Sequence, residues 1–338
     1  MEFMTVLVTG TAGFIGFHVA RRLLADGYEV VGFDSVTDYY DTSLKRARLE
    51  ILAEHGDFRF IQADLADAGA VKSAFECRPE IVINLAAQAG VRYSLDNPQA
   101  YIDANVTGFL NILENCRATN PKHLIYASSS SVYGGNKKQP YSPRDGVDHP
   151  VSLYAATKKA NELMAHTYSH LFGVPATGLR FFTVYGPWGR PDMAYYKFTR
   201  AIFAGETIDV YNKGDMYRDF TYVDDIVEGI VRLIDLPPNA DPDYDIAAGG
   251  ASGSWAPHRV MNIGNRRKEH LMEMIRILER ATGREAVKNF MPLQPGDVLS
   301  TWADVSDLEA LIGELPHTPI EEGLVRFVDW YGRYYRVQ

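Results

Sequence analysis

The chain has 338 residues, of which 46% are apolar and 23% charged, so it is long enough to bury one large hydrophobic core or two adjoining ones. Its formal net charge of -9 argues against a nucleic acid partner, because a phosphate backbone attracts basic surfaces. The two cysteines show no paired spacing and no nearby histidine group, which indicates neither a disulfide framework nor a metal site.

The beginning of the chain predicts a cytoplasmic protein. Residues 4–8 lead directly into a glycine-rich loop, without the layout of a signal peptide. No apolar run approaches the 18 residues that a membrane-spanning helix needs. We therefore expect neither export nor a membrane partner.

Short apolar runs alternate with helical stretches through the first half of the chain. The predicted strands cover residues 5–8, 29–33, 58–62, 81–85 and 123–127, and predicted helices cover 14–26 and 151–172, the latter ending at Gly173. Strands that alternate with helices form right-handed crossovers and a parallel sheet covered on both faces. The sequence therefore predicts an α/β fold with a doubly wound parallel sheet of the Rossmann type.

The second half is less regular. Helices are predicted near residues 225–236 and at 269–282, and Asp225 with Glu228 has the spacing of a capping box for the first of these helices. We expect residues 1–180 to form the dinucleotide-binding domain. Residues 181–338 then form a smaller C-terminal α/β domain for substrate, with the chain crossing between the two.

A glycine loop follows the first strand. Gly10, Gly13 and Gly16 permit a tight turn, close approach of the backbone to a pyrophosphate and close packing of helix on strand. Phe14 and Ile15 lie inside this loop, where the first helix begins. The spacing differs from the commoner G-x-G-x-x-G, and three glycines by themselves are also compatible with an ordinary loop.

Asp34 strengthens the prediction of a cofactor site. It closes the second strand 18 positions after Gly16, where a carboxylate accepts hydrogen bonds from the adenosine ribose and repels a 2′-phosphate. The sequence therefore favours NAD over NADP. Asp64, followed by Leu65, comes after the third strand and either reaches the adenine amine or caps the next helix.

Tyr154 and Lys158 are four positions apart in a predicted helix, so their side chains share one face. An ammonium there, together with a cationic nicotinamide ring, is expected to lower the pKa of the tyrosine and make it a general base for a sugar hydroxyl. Four serines, 128–131, end the fifth strand at the edge where parallel sheets bind ligands, although a polar turn has the same composition.

These motifs resemble those of the extended short-chain dehydrogenase/reductase family. The T-G-x-x-G-x-x-G loop, Asp34, the stretch Asn84-Leu85-Ala86-Ala87, the serine run and Tyr154-x-x-x-Lys158 follow the family's order. The resemblance implies that Ala86 and Ala87 line the NAD site, that Tyr154 is the catalytic base and that Lys158 holds the nicotinamide ribose. It also implies that Ser129 binds the reacting hydroxyl, and that two subunits pair through helices.

The residues after Ser129 bear on the reaction. Relatives that eliminate water or decarboxylate carry a carboxyl group in this stretch, whereas this chain has Ser130 and Ser131. Oxidation at one carbon, turnover of the keto sugar and return of the hydride to the opposite face remain the simplest chemistry. The sequence therefore favours epimerisation.

The second half resembles UDP-glucuronate 4-epimerases, over residues 89–94, 180–194 and 217–225. This resemblance implies that Ser130 contributes to the substrate site, that Thr183 and Arg190 hold the sugar carboxylate and that Arg218 meets the diphosphate. A planar guanidinium suits both anions. The alternatives left open are another sugar-nucleotide epimerase, such as one for UDP-glucose, a dehydratase or decarboxylase, and a non-catalytic NAD-binding scaffold.

Overall fold

The computed structural model describes residues 4–293 and 298–337. Its strands are β1 Thr5–Thr9, β2 Glu29–Asp34, β3 Phe58–Gln62, β4 Ile81–Asn84, β5 His123–Ser129, β6 Ala176–Phe181, β7 Thr183–Tyr185, β8 Thr207–Val210, β9 Tyr217–Arg218, β10 Phe220–Tyr222, β11 His258–Ile263, β12 Glu269–His270 and β13 Val287–Phe290.

The helices lie between these strands. They are α1 Phe14–Ala25, α2 Thr42–Ala53, α3 Ala68–Ala74, α4 Tyr93–Asp96, α5 Pro98–Tyr101, α6 Gly108–Thr119, α7 Leu153–Phe172, α8 Ala194–Ala204, α9 Val223–Leu233, α10 Ile246–Gly249, α11 Leu271–Thr282, α12 Ser306–Ile312 and α13 Ile320–Tyr335. A π-helical turn, Ile102–Thr107, joins α5 to α6. None of the helices in the described ranges is both long enough and apolar enough to span a bilayer.

Seven strands form one parallel sheet in the order β11-β6-β5-β4-β1-β2-β3. The chain order reverses between β1 and β4, and ligands of open α/β sheets bind in the crevice that such a reversal leaves at the carboxyl ends of the strands. The predicted doubly wound fold is confirmed. The strand at 58–62 has the predicted bounds, while β5 extends two residues further and carries Ser128 and Ser129 within the sheet.

Both faces of the sheet are covered by apolar helix faces. On one face, α1 and α9 pack against the strands through side chains such as Phe17 and Ile230, which are fully buried. On the other face, α3, α6 and α7 contribute Val71, Phe109 and Ala165 to a second cluster. Strands β1, β2 and β4 are buried along most of their length, which explains why they are mainly apolar and do not alternate, whereas the edge strand β3 is only partly buried.

The second half of the chain also forms small sheets outside the main one. In the described residues three two-stranded sheets pair β10 with β7, β12 with β9, and β13 with β8. An aromatic-rich core between α8, α11 and α13 includes Tyr195, Tyr196 and Phe327. Strand β11 pairs with β6 at the edge of the main sheet. The division into two domains at residue 180 stays a prediction.

The predicted capping box at Asp225 and Glu228 is wrong. Helix α9 begins two residues earlier, at Val223, and no side chain caps its first residue. The Asp225 carboxylate instead accepts hydrogen bonds from the backbone N–H and hydroxyl of Thr318, at 2.8 and 2.9 Å. Glu228 pairs with arginines of α1 and of its own helix, because it faces outward between them.

Candidate active site

A cleft with two lobes opens at the carboxyl edge of the main sheet. A lobe of about 460 Å³ is lined by every residue predicted to contact the cofactor: Gly10, Gly13, Phe14, Ile15, Gly16, Asp34, Asp64, Leu65, Ala86, Ala87, Tyr154 and Lys158. A second lobe of about 490 Å³ is lined by the predicted substrate residues Ser129, Ser130, Thr183, Arg190 and Arg218. Ser129, Tyr154 and Arg190 line both lobes, so the two form one site.

The glycine loop is shaped for close approach of another group. Gly10 has a positive φ of 78°, and a Cβ at this position would lie 2.9 Å from the backbone nitrogen of Ala86. A Cβ at Gly16 would lie 2.1 Å from the Gly10 carbonyl oxygen. Helix α1 starts inside the loop and has no side-chain cap, so its N-terminal N–H groups suit a pyrophosphate. The loop therefore fits a dinucleotide.

Asp34 stands at the end of β2, buried at the wall of the first lobe. One carboxylate oxygen accepts from the N–H of Ala12 at 3.0 Å and the other from the N–H of Val36 at 2.8 Å. Burial raises the pKa of Asp34 above its usual range, against these bonds and the nearby charge of Lys45. The carboxylate is thus held in a fixed orientation toward the lobe.

Asp64 lines the same lobe, and its alternative role as a helix cap is wrong. Its carboxylate accepts from the N–H of Ala66 at 2.9 Å, which forms a local turn. Asp67 caps α3 instead, accepting from Gly69 and Ala70. Asp64 does not cap the helix because α3 begins only at Ala68, directly after Asp67.

Tyr154 and Lys158 rise from one face of α7, as their spacing predicts. Burial lowers the pKa of Lys158 to about 8, and its ammonium donates to the Ala127 carbonyl oxygen at 2.9 Å. Burial raises the pKa of Tyr154, opposed by a hydrogen bond with Ser129 and by the charge of Arg190. Burial thus outweighs the Ser129 hydrogen bond and the charge of Arg190 at Tyr154, and the lowering of its pKa expected beside a cationic nicotinamide ring stays a prediction.

The strand end that carries Ser129 is held from behind by buried charges. Glu162, two helical turns after Tyr154 on α7, accepts from Nε and Nη2 of Arg180 at 2.8 Å each. Ser128 donates to the same carboxylate at 2.6 Å. Although burial alone raises the pKa of Glu162, the Arg180 guanidinium holds it below the usual range. This network fixes Ser129 relative to Tyr154.

Arg190 forms a two-point ion pair with Asp192 in the substrate lobe. Nε and Nη2 of Arg190 donate to the two carboxylate oxygens at 3.0 and 2.5 Å. Burial disfavours the charge of Arg190, but Asp192 outweighs burial and raises the pKa above its ordinary value. About a quarter of each side chain is exposed, so the pair lies at the wall of the cleft and is not part of the core.

Thr183 and Arg218 lie on adjacent segments of the same lobe. Thr183 begins β7, and its N–H donates to the Asp219 carbonyl oxygen at 3.1 Å. Arg218 ends β9 and donates through Nη1 to the Tyr217 carbonyl oxygen at 2.8 Å. The parallel pairing of β7 with β10 thus brings the threonine next to the segment that carries the arginine.

Lys45 and Arg92 are two charged residues of the cleft lining that were not predicted from the sequence. Lys45 donates to the Thr37 carbonyl oxygen at 2.8 Å beside Asp34, and the guanidinium of Arg92 lies 5.2 Å from the ring centroid of Tyr211. Each stands among other charged or aromatic residues along the sequence, and no spacing there indicates which side chain faces the cleft. Only the folded structure shows that these residues line it.

The sheet order, the glycine cradle and the acidic residue that closes β2 define a dinucleotide-binding enzyme of the doubly wound class. Residues 6–249 match the model of the NAD dependent epimerase/dehydratase family. The chain belongs to that family, and NAD is its cofactor.

Similar proteins span the whole chain. The chain is 52% identical over 337 residues to a probable UDP-glucuronate 4-epimerase of Rhizobium meliloti, covering 98% of each. A solved structure of UDP-glucuronic acid 4-epimerase from Bacillus cereus, in complex with UDP-glucuronic acid and NAD, has a TM-score of 0.87 at 32% identity and covers 98% of this chain and 100% of its own. A UDP-glucose 4-epimerase from Thermotoga maritima, with UDP-glucose, has a TM-score of 0.85 at 28% identity, with coverage of 98% and 100%.

Proposed function

We propose that this enzyme interconverts UDP-glucuronate and UDP-galacturonate by inverting carbon 4 of the sugar. The observation that carries the proposal is the position of Arg190, a guanidinium in the wall shared by both lobes, close enough to Tyr154 to lower its pKa electrostatically. A sugar carboxylate bound by Arg190 would lie beside the base that acts on the sugar. The names of the Rhizobium and Bacillus relatives support the same substrate.

The proton at the reacting hydroxyl is handled by Tyr154 and Ser129. The phenolate oxygen of Tyr154 accepts the proton from the sugar C4 hydroxyl and later returns it to the ketone oxygen. Ser129, hydrogen-bonded with Tyr154, orients that hydroxyl. NAD would be held in the lobe lined by the glycine loop, Asp34 and Lys158, where it would supply a hydride acceptor and donor for the sugar carbon. Its positive ring, together with Lys158, would favour the phenolate of Tyr154.

Arg190 retains N–H groups for a second carboxylate. A guanidinium has five N–H donors, of which the Asp192 pair uses one on Nε and one on Nη2. The remaining donors lie on the two terminal nitrogens, Nη1 and Nη2, which form the end edge of the guanidinium. This edge can bind both oxygens of a carboxylate at once. We therefore infer that Asp192 fixes the side edge of Arg190 and that the substrate takes the end edge, with Thr183 as a further donor.

The carboxylate must be held still during turnover. Oxidation at carbon 4 places a ketone two carbons from the carboxylate carbon, and such a β-keto acid loses carbon dioxide readily. Bond breaking requires the carboxylate bond to align with the carbonyl π system. By pinning the carboxylate, Thr183 and Arg190 keep that bond out of line while the ring turns over.

A neutral UDP-hexose is the second candidate substrate. The UDP-glucose 4-epimerase of Thermotoga has nearly the same TM-score as the uronate enzyme, so the backbone does not distinguish the two substrates. Side chains of the substrate lobe must do so. Dehydration and decarboxylation are disfavoured, because Ser130 and Ser131 stand in the turn after β5 where those reactions use a carboxyl group.

The test is to incubate the NAD-loaded protein separately with UDP-glucuronate and UDP-glucose and to follow the anomeric proton signals. With UDP-glucuronate we expect a second anomeric signal, that of the galacto epimer. With UDP-glucose we expect a rate at least about tenfold lower, because this sugar lacks the carboxylate and therefore one charged contact. Conversion of UDP-glucose alone would instead establish the second candidate.

We further propose that two copies of the chain pair through α6 and α7. Each helix exposes large apolar side chains on the surface away from the sheet, Leu110 on the first and Leu163 and Leu171 on the second. Leu163→Glu is expected to convert a dimer to a monomer in light scattering, and Val325→Glu, at an exposed apolar residue of α13, is the matched control. A monomeric wild-type protein would refute this pairing.

The cytoplasmic location remains a prediction from the sequence.

A further inference from the structure

Arg48 is a fully buried arginine that connects the cofactor loop to the loop that carries Arg190. It lies on α2 and has no solvent exposure. Its Nη1 donates to the Ala12 carbonyl oxygen, in the glycine loop, at 2.7 Å. Its Nη2 donates to the carbonyl oxygens of Trp188 and Gly189 at 2.6 and 3.1 Å. One guanidinium therefore bridges the glycine loop and the loop that leads to Arg190, and residues of both line the cleft.

The hydrogen-bond partners of the Arg48 guanidinium are neutral groups. Its hydrogen bonds within residues 4–293 and 298–337 go to three carbonyl oxygens and the hydroxyl of Tyr40, and its buried Nε has no partner there. Asp34 is near enough to interact with this charge electrostatically, but no carboxylate is hydrogen-bonded to it in the described residues. A buried cation bonded in this way is costly, so a merely structural position would be better filled by an apolar residue. What the guanidinium supplies is its fixed fork, which reaches two chain segments at once.

The loop held by Arg48 needs such support. Trp188 has a positive φ of 60°, a conformation that side chains other than glycine seldom adopt. Arg190 follows two residues later, so the direction of its guanidinium depends on this turn. A loop in a strained conformation persists only where its surroundings over-determine it.

A second side chain holds the same loop from α1. His18 is buried, and burial lowers its pKa to about 3, so the ring is neutral at working pH. Its Nε2 therefore donates to the Pro187 carbonyl oxygen, at 2.9 Å. Three consecutive carbonyl groups, of residues 187, 188 and 189, are thus fixed by two helices of the dinucleotide-binding unit.

We propose that Arg48 is a positioning residue for uronate recognition: by tying the carbonyl groups of Trp188 and Gly189 to the glycine loop, it sets the direction in which Arg190 presents its guanidinium. The inference rests on the proposed function, since it gives Arg190 the sugar carboxylate. Arg48 touches neither substrate nor cofactor in this account, and acts only through Arg190.

The test compares two ligands that differ only in the carboxylate. Dissociation constants of UDP-glucuronate and UDP-glucose are measured by calorimetry on NAD-loaded protein, in a Tyr154→Phe background that prevents turnover. Arg48→Met is expected to raise the dissociation constant of UDP-glucuronate by about tenfold or more, the scale of a displaced charged contact. The dissociation constant of UDP-glucose should rise by less than about threefold. An equal rise in both dissociation constants would indicate a general loosening of the cleft and would overturn the proposal.

A double-mutant cycle separates positioning from folding. In an Arg190→Ala background, Arg48→Met should no longer change the ratio of the two dissociation constants. If it still shifts the ratio by as much as in the Arg190 protein, Arg48 does not act through Arg190 and the proposal fails. Arg22→Met, which removes a surface tie between α1 and α9, is the matched control and should leave the ratio unchanged.

Arg48→Lys decides the matter if the methionine variant does not fold. Lysine keeps the buried charge but loses the fork, so the ratio should shift in the same direction by a smaller amount. An unchanged ratio in a folded Arg48→Lys protein overturns the proposal. If wild-type protein prefers UDP-glucose to UDP-glucuronate, the proposed function itself is wrong, and this outcome is distinct from the others.

Discussion

Glu162 and Arg180 form a buried two-point ion pair directly behind the strand end that carries Ser129, with both N–O distances at 2.8 Å. Removing one member leaves the other charge buried without its partner. We predict that Glu162→Gln lowers the free energy of unfolding by about 3–5 kcal/mol, measured by urea denaturation. Glu228→Gln, at a more exposed ion pair, should cost less than about 1 kcal/mol. Equal losses in the two variants would contradict this account.

Removal of the Tyr154 hydroxyl should stop catalysis but preserve binding. The phenol is the group that exchanges a proton with the sugar, and such proton transfer contributes about 10²–10⁴-fold to a rate. Tyr154→Phe is expected to lower kcat by that factor, while the dissociation constant of UDP-glucuronate changes little. Tyr168→Phe, on the same helix but outside the cleft, is the control and should keep its kcat. A Tyr154→Phe enzyme with normal kcat would remove this residue from the mechanism.

Arg190→Ala should weaken uronate binding and release by-product. Without the guanidinium, the carboxylate of the keto sugar is free to align with the ketone and leave as carbon dioxide. We expect a KM for UDP-glucuronate raised by about tenfold or more, the scale of a lost charged contact, and a UDP-pentose signal in proton spectra of the reaction mixture. Arg200→Ala, at an exposed residue of α8, should do neither. Unchanged kinetics with clean product would defeat the assignment of Arg190.

Burial of Lys158 predicts a specific pH dependence of stability. Its pKa is about 8 in the folded protein, against 10.5 in an unfolded chain. Between these values the unfolded chain binds more protons, so the contribution of Lys158 to the free energy of unfolding rises with pH, by up to about 3 kcal/mol in all. Below pH 8 this contribution is constant.

The ligand-free Lys158→Met variant isolates this effect. Its free energy of unfolding, measured by urea denaturation at pH 7.5 and 9.5, should gain less with pH than that of the wild-type protein. Parallel pH profiles for the two proteins would show that Lys158 keeps an ordinary pKa in the folded state.

The parts of the fold that could be predicted are those that local pattern determines. Strands β1, β2, β4 and β5 are buried along most of their length, so their apolar runs stand out, and Asp34 follows from its place at the end of β2. The return of β11 to the main sheet could not be predicted, because its partner β6 lies about eighty residues earlier and no local signal records that pairing.

The sequence predicted which residues line the site better than it predicted their ion pairs and pKa values. Every predicted residue lines the cleft, because family motifs fix positions along the chain. The partner of Arg190 is Asp192, only two residues away, yet a pair so close in sequence has no spacing that distinguishes it from chance. The raised pKa of Tyr154 was missed for a different reason: burial depends on what packs around α7, and not on the i, i+4 spacing.

The central claim is that the hydrogen on carbon 4 leaves and returns during inversion without exchanging with solvent. The most direct measurement is to supply UDP-glucuronate carrying deuterium at carbon 4 and to analyse the product by proton spectroscopy and mass spectrometry. The account predicts UDP-galacturonate that retains the deuterium at carbon 4. Product that has lost the label to water, or the absence of a C4-inverted product, would contradict it.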